Sequence, residues 1–413
     1  MLPIRRSERD ARPAPQPRWG ASPWSMRHPV RTRRLLALAL ALVLVAASAA
    51  CAPPIAETSQ TRDAAPGDAA TRAAARTTLR DHVRWILDRP APAKRLFVEG
   101  YFARTLVAAY DVFAASPADS ALARTALAGG FAFAESLVGA QRDTGYWRLG
   151  YDTGWVADMG AALGIFPALE PHADSLQLAR YVRTAERFVA ALERDRLILP
   201  AGAVGVGWPL GDHPERVQRA WRSDVGWSDD PYLVATALAG VEVHAWLYRR
   251  TSDARYRERA LRALDWTVAQ LRADGSLPDF ARGEGELTAA AYAEEGWMAA
   301  DAYLAADSLH VRLCRELDAH VRWLLRIQAA DGTWGGGVGG ERARAPAIVG
   351  FLVWCQSRCG DRPELREAAG RAAKALVRFE ATWAPGQEAE NTEVLRAMVG
   401  RPLAALAAGR PVP

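Results

Sequence analysis

Two adjacent carboxylates, Asp229 and Asp230, stand in the run Trp227-Ser-Asp-Asp-Pro-Tyr232, with aromatic residues on both sides. A carboxylic acid set close to other carboxylates can be held protonated and donate a proton while a neighbour accepts one, as glycosidic-bond cleavage requires. Asp152 and Asp158 are the candidate partners. Pro231 in a first helical turn would make Asp230 an N-cap, so Asp229 is the carboxylate expected to face a substrate. Residues 201–225 lack any secondary-structure pattern and carry Trp208, His213 and Arg222; a long loop inside a compact domain is usually a binding loop or lid. Trp155, Trp227, Tyr232, Tyr292, Glu295 and Trp297 complete the substrate-binding candidates. Sugar rings stack their C–H faces on aromatic side chains while carboxylates bind their hydroxyls. Acidic residues at helix starts are also favoured by the helix dipole, at about 0.3–1 kcal/mol each, so the neighbouring aromatics carry more of the argument.

What must position these residues is a repeat. In Trp323-Leu-Leu-Arg-Ile-Gln328-Ala-Ala-Asp-Gly332-Thr-Trp334 a helix ends, a glycine turns the chain and an aromatic marks its return. Gln141, Gly145 and Trp147 hold the same places after Ser136, and Gly275 follows Trp266 at the same distance. The anchors Trp85, Ser136, Phe188, Trp266, Trp323 and Phe379 lie 51, 52, 78, 57 and 56 residues apart, one period with a single insertion before the fourth. A period near 50 fits two helices and two connections. The first helix of each unit is expected to be charged and amphipathic, as in Asp253 to Trp266; the second is small and apolar all round, as in Pro231 to Val241. A helix without a polar face belongs inside. The expected fold is therefore all-α, an (α/α)6 toroid of six helical hairpins over residues 71–410, whose inner helices open at one mouth.

Three families resemble parts of this pattern. Trp227-Ser-Asp-Asp-Pro-Tyr-Leu233, followed by Tyr248 to Tyr256, resembles six-hairpin glycosidases of the unsaturated-glucuronyl-hydrolase type. There a Trp-x-Asp segment opens an inner helix and supplies a catalytic acid; the resemblance puts that role on Asp229 or Asp230. The Trp323, Gln328, Gly332 and Trp334 spacing is similar to the QW repeat of terpenoid cyclases, which also use an α/α toroid. The Asp-x-Asp-Asp motif of squalene-type cyclases is absent and there is one such domain, so that likeness is architectural. Polysaccharide lyases share the toroid, and their Tyr, His and Arg chemistry would fall on Tyr232, His213 and Arg222.

The remaining features concern location. Arg31-Thr-Arg-Arg34 precedes sixteen apolar or small residues and then Cys51, a charged region, a short apolar core and a small-residue cleavage site. Residues 1–50 read as a signal peptide and 51–70 as a flexible tether rich in Ala, Pro, Thr and Asp. Ser48-Ala-Ala-Cys51 resembles the lipobox of bacterial lipoproteins, with Ser48 in place of the usual aliphatic residue; it implies lipid attachment at Cys51 and a membrane-anchored protein of the cell envelope, the alternatives being ordinary cleavage with a soluble product and an uncleaved anchor. The formal net charge of +5 comes from that leader, whose nine Arg oppose only Glu8 and Asp10, so nucleic-acid binding has no electrostatic basis. Cys314, Cys355 and Cys359 either stay buried thiols or let Cys314 bridge to one of the others, and no His clusters with them, so neither a metal nor a cofactor is expected. Three functions fit: an exported hydrolase or lyase acting on a glycan, a non-catalytic lipoprotein that binds a glycan or a protein, and a toroid for an isoprenoid or other apolar ligand.

Overall fold

The computed structural model describes residues 68–89, 95–147, 153–209, 230–278, 285–335, 341–360, 362–383 and 389–411. Helices that are amphipathic alternate along the chain with helices that are apolar on every side, and the two kinds separate into two layers. The amphipathic set is α1 (Ala69–Leu87), α3 (Ser120–Ala140), α6 (Ser175–Arg194), α8 (Ala254–Ala269), the broken pair α10 (Asp307–Glu316) and α11 (Asp318–Ile327), and α13 (Pro363–Val377). The apolar set is α2 (Leu96–Phe113), α4 (Val156–Leu163) with its extension α5 (Ile165–Leu169), α7 (residues 233–251), α9 (Gly285–Leu304), α12 (residues 341–358) and α15 (Ala389–Ala408). A short α14 (Phe379–Trp383) precedes α15. Buried side chains fill α2, α4, α7 and α9 almost without interruption, as an inner layer demands.

Both layers close. Inner helices pack in the order α2, α4, α7, α9, α12, α15, and α15 packs back on α2. In the outer layer α13 returns to α1, where the Thr78 hydroxyl donates to the Val377 carbonyl at 3.3 Å. The chain is an (α/α)6 toroid. Among the described residues the regular structure is helical apart from one short antiparallel pair, Thr153–Trp155 with Gly207–Pro209, and two isolated bridges, Ile198 with Val204 and Gly205 with Pro231. Asp caps mark the starts of outer helices: Asp68 accepts from the Thr71 amide, Asp174 forms a capping box with Gln177, and Asp253 accepts from the Arg255 amide. One outer helix departs from expectation. α3 carries only Arg124 and Glu135 as charges, and Glu135 is used to tie it to Arg180 and Tyr181 of α6.

The repeat motif is a strap between neighbouring hairpins. Gln141 donates both to the Gly145 carbonyl of its own turn and to the Thr184 carbonyl of the next outer helix, each at 2.9 Å. Gln328 does the same to Gly332 at 3.1 Å and Ala368 at 3.0 Å. Trp147 and Trp334 are buried and return their indole N–H to the Leu137 and Leu324 carbonyls, so both are packing residues. Gly332 adopts φ +87°, and a Cβ there would lie 2.3 Å from the Arg371 carbonyl oxygen of α13. In the copy after Trp266, Leu271 and Leu277 occupy the Gln and Trp places, and His320 of α11 supplies the missing donor to the Gly275 carbonyl at 2.8 Å.

Cys314 and Cys359 form a disulfide that joins α10 to the end of α12, and Cys355 is a buried free thiol. Among the alternatives left open by the sequence, the bridge to Cys359 is the one formed.

The left-handed turn and the close approach to α13 make Gly332→Ala costly, about 2 kcal/mol or more. Gly139→Ala, where a Cβ meets nothing within 4 Å, should be neutral or stabilising by a few tenths of a kcal/mol. Thermal unfolding of the two variants beside wild type checks this; equal melting temperatures would remove the strap from the account of ring closure.

Candidate functional site

Among the described residues, polar and aromatic side chains from the N-terminal halves of inner helices form two groups. In the first, Tyr101 of α2 and Tyr292 of α9 place their rings 6.4 Å apart, and Arg344 of α12 donates its Nε–H to the Tyr292 hydroxyl at 3.3 Å. In the second, Trp155 at the start of α4 meets Tyr232 at the start of α7 edge-on, at 6.4 Å. Trp155 is half-buried, and Tyr232 and Tyr292 are buried. Asp158 is half-buried in the first turn of α4.

The insertion is organised at its base. The Val204 carbonyl accepts from the Tyr232 amide at 2.9 Å, the Val206 carbonyl from the Val156 amide at 3.0 Å, and the Thr236 hydroxyl accepts from the Val204 amide at 2.8 Å. Residues 203–206 therefore lie buried against the starts of both α4 and α7. Residues Thr236–Val243 of α7 are π-helical, a distortion found disproportionately at functional sites.

Below the two groups four charges meet out of water. Arg104 of α2 donates to Glu242 of α7 at 2.8 Å and to Glu295 of α9 at 3.4 Å; Glu295 also accepts from Arg401 of α15 at 3.0 Å. All four are less than one-tenth exposed. Burial works against the Arg104 charge, but Glu242 and Glu295 more than offset it and hold its pKa above the usual guanidinium range. Burial raises Glu242 despite the Arg104 beside it, and burial next to Glu295 raises the Tyr101 phenol well above its ordinary value.

The expected site residues divide accordingly. Tyr292 and Glu295 come together near Tyr101; Trp155, Asp158 and Tyr232 hold the other side. Asp152, His213, Arg222, Trp227 and Asp229 lie outside the described residues, as does the Trp208 side chain, and so does Cys51. Two expectations are corrected. Trp297 is fully buried, with its N–H on the Thr267 hydroxyl at 3.0 Å and its ring edge-on to His320, because one residue further along α9 than Gly296 the helix faces the outer layer. Asp230 is exposed and does not cap α7: Pro231 is drawn into a bridge with Gly205, and the helix begins after Tyr232, with no side-chain cap. Arg104, Glu242 and Arg401 were not anticipated. Their signal was a lone charge inside an otherwise apolar run, which a buried helix does not carry without a partner.

No protein-family model matches the chain, and no curated protein does. Solved structures do match. A variant of the type II terpene cyclase MstE from Scytonema, in complex with its substrate geranylgeranyl dihydroxybenzoate, has a TM-score of 0.52 at 13% identity, covering 82% of this chain and 99% of that one. A sugar epimerase from a ruminal bacterium has a TM-score of 0.54 at 12% identity, covering 74% of this chain and 86% of that one. A protein from Actinoplanes has a TM-score of 0.50 at 15% identity, covering 81% and 99%. At such identities the likeness is one of fold, and function has to come from the site.

Glu294, next to Glu295 on α9, faces the opposite way. His320 holds its Nδ1–H on the Gly275 carbonyl, so its Nε2, 3.1 Å from Glu294 Oε1, must accept a proton from the carboxylic acid or share one with it. Burial pushes the Glu294 pKa up to about 7, against the hydrogen bond to His320, which lowers it. A folded-state pKa above the unfolded one means the folded protein binds more protons in between. The contribution is present below about pH 4.5 and is lost as pH rises through about 7. Glu294→Gln keeps a donor for His320 and removes the titration. Relative to the variant, wild-type stability should fall by at least about 1 kcal/mol between those limits; urea unfolding across that range measures both, and parallel curves would refute the assignment.

Proposed function

We propose that the chain is an exported carbohydrate-active protein of the cell envelope, acting as an enzyme on a saccharide at the mouth of the ring. The observation that carries this reading is the grouping of Tyr101, Tyr292 and Arg344 above Glu295 and Arg401, a set of hydroxyl, carboxylate and guanidinium groups suited to a polyol. Trp155, half-buried against Tyr232, offers aromatic surface on the other side. In this reading Asp229 is the general acid, with Asp158 or Asp152 as its partner and the insertion as cover. The fold shared with a sugar epimerase supports the substrate class and adds isomerisation to hydrolysis and elimination as reaction types. The Cys314–Cys359 disulfide supports export, since such bonds persist in oxidising compartments.

A second reading, a cyclase-like site for an isoprenoid, is favoured by the methionine and alanine wall beside Tyr101 and by the shared fold with MstE. A glycan panel separates the two. Wild type, Asp229→Asn and Asp158→Asn are assayed for reducing ends, for new ultraviolet absorbance and, by chromatography, for isomers. Release of reducing ends without absorbance identifies a hydrolase, absorbance a lyase, and an isomer without cleavage an epimerase; loss of about 10²-fold or more is expected in the Asp229 variant. Silence on every glycan, with turnover or binding of a polyprenyl substrate, would replace the carbohydrate reading.

The lipid anchor at Cys51 is part of the same proposal. Expressed in a Gram-negative host, the wild type should fractionate with membranes and Cys51→Ser should not. Identical fractionation of the two would exclude the thiol as the attachment point.

A further inference from the structure

The inner helices do not meet in the same way around the ring. Several seams close through glycine: a Cβ at Gly160 of α4 would lie 2.9 Å from the Ala239 nitrogen, one at Gly296 of α9 2.9 Å from the Ala237 carbonyl oxygen, and one at Gly400 of α15 2.2 Å from the Thr105 hydroxyl oxygen of α2. Gly350 of α12, by contrast, has nothing within 4 Å of where its Cβ would stand. It lines a pocket bounded by α2, α9, α12 and α15, about 360 Å³ when the space open to solvent is counted. A glycine within a helix costs about 1 kcal/mol relative to alanine, and no neighbour demands this one.

Two more locally unfavourable features line the same cavity. Pro402 stands inside α15, and because it has no N–H the carbonyl of Met398, one turn earlier in the same wall, lacks its helical donor. The Tyr101 hydroxyl and the Arg401 Nε, on residues only 1% and 8% exposed, have no hydrogen-bond partner among the described residues. Each buried unpaired polar group costs about 1–3 kcal/mol. A glycine, a freed carbonyl and two donors without a partner among the described residues thus belong to residues that line one pocket. The charges in its wall are balanced, since Glu295 lies between Arg401 and Arg104, and Arg104 also pairs with Glu242. No cation there is left over for an acidic group. The space is also narrow: only about 20 Å³ of it would seat the centre of a water molecule. Entry of a ring therefore relies on Met298 and Met398, flexible unbranched side chains, moving aside.

We propose that this cavity is the subsite for one neutral sugar unit, its hydroxyls shared among Tyr101, Arg401 and the Met398 carbonyl, its C–H face against Met298 and Met398. The proposal rests on the saccharide reading above and specifies which saccharide end it takes. Ligand-observed NMR tests it with methyl glycosides of neutral hexoses, methyl glucuronide and farnesol, using wild type, Gly350→Leu to fill the cavity, and Tyr101→Phe to remove one hydroxyl. A neutral glycoside should bind wild type, and its affinity should drop about tenfold or more in both variants while melting by circular dichroism holds. If Gly350→Leu fails to fold, Tyr101→Phe decides alone. Neutral-glycoside binding unchanged in the variants overturns the cavity and leaves the saccharide reading standing. Preference for the glucuronide overturns the neutrality. Farnesol binding lost in Gly350→Leu, with no glycoside bound, sinks the saccharide reading itself, and silence from all three probes overturns the subsite.

Discussion

Two arginines and two glutamates on four different inner helices meet where water does not reach, and the ring depends on their agreement. A buried charge without a partner costs several kcal/mol, so each of these side chains constrains a helix other than its own. Glu295 of α9 reaches both Arg104 of α2 and Arg401 of α15, the first and last inner helices. Arg104 also holds Glu242, which lies in the π-helical part of α7. A slip of any of these helices by one residue would turn a charge into the apolar layer between the helices. The cluster therefore sets the register in which the toroid closes, and it places the tyrosines above it.

The outer layer solves a different problem. Its helices have water on one face and need only be kept beside one another, and the strap does this with a glycine turn pressed on the next helix and a glutamine reaching across. Where the glutamine is missing, His320 crosses in the other direction and brings Glu294 with it. Adjacent residues on α9 thus face the two layers: Glu295 serves the axis, Glu294 the wall. The same division explains why a tryptophan two positions on belongs to packing and has no access to the mouth.

How much of this was legible in the sequence follows from the range of each interaction. The Gln, Gly and Trp spacing is local, within about ten residues of a turn, and showed the turns and the number of hairpins; the bonds of Gln141 to Thr184 and of Gln328 to Ala368 span 43 and 40 residues and were not legible. The two kinds of helix were legible because burial imposes composition, although α3 had fewer charges than its position in the outer layer suggested. Tyr292 and Glu295 were picked out by type and by an expected place at a helix start, although α9 begins at Gly285 and both lie in its middle. The partners of Glu295 were not, because Arg104 and Arg401 lie 191 and 106 residues away in the chain and nothing local pairs them. Asp230 as a helix cap was a local inference that a long-range bridge, Gly205 with Pro231, overrode.

Periodicity and composition in the sequence by themselves determined that this is a ring of six hairpins with apolar helices inside, because the hydrophobic effect sorts helices by their faces alone. Only the tertiary structure decided which lone charges neutralise one another, which cysteine closes the disulfide and where the helices leave room. Those outcomes are set by contacts between residues far apart in the chain, whose geometry exists only once the ring has closed.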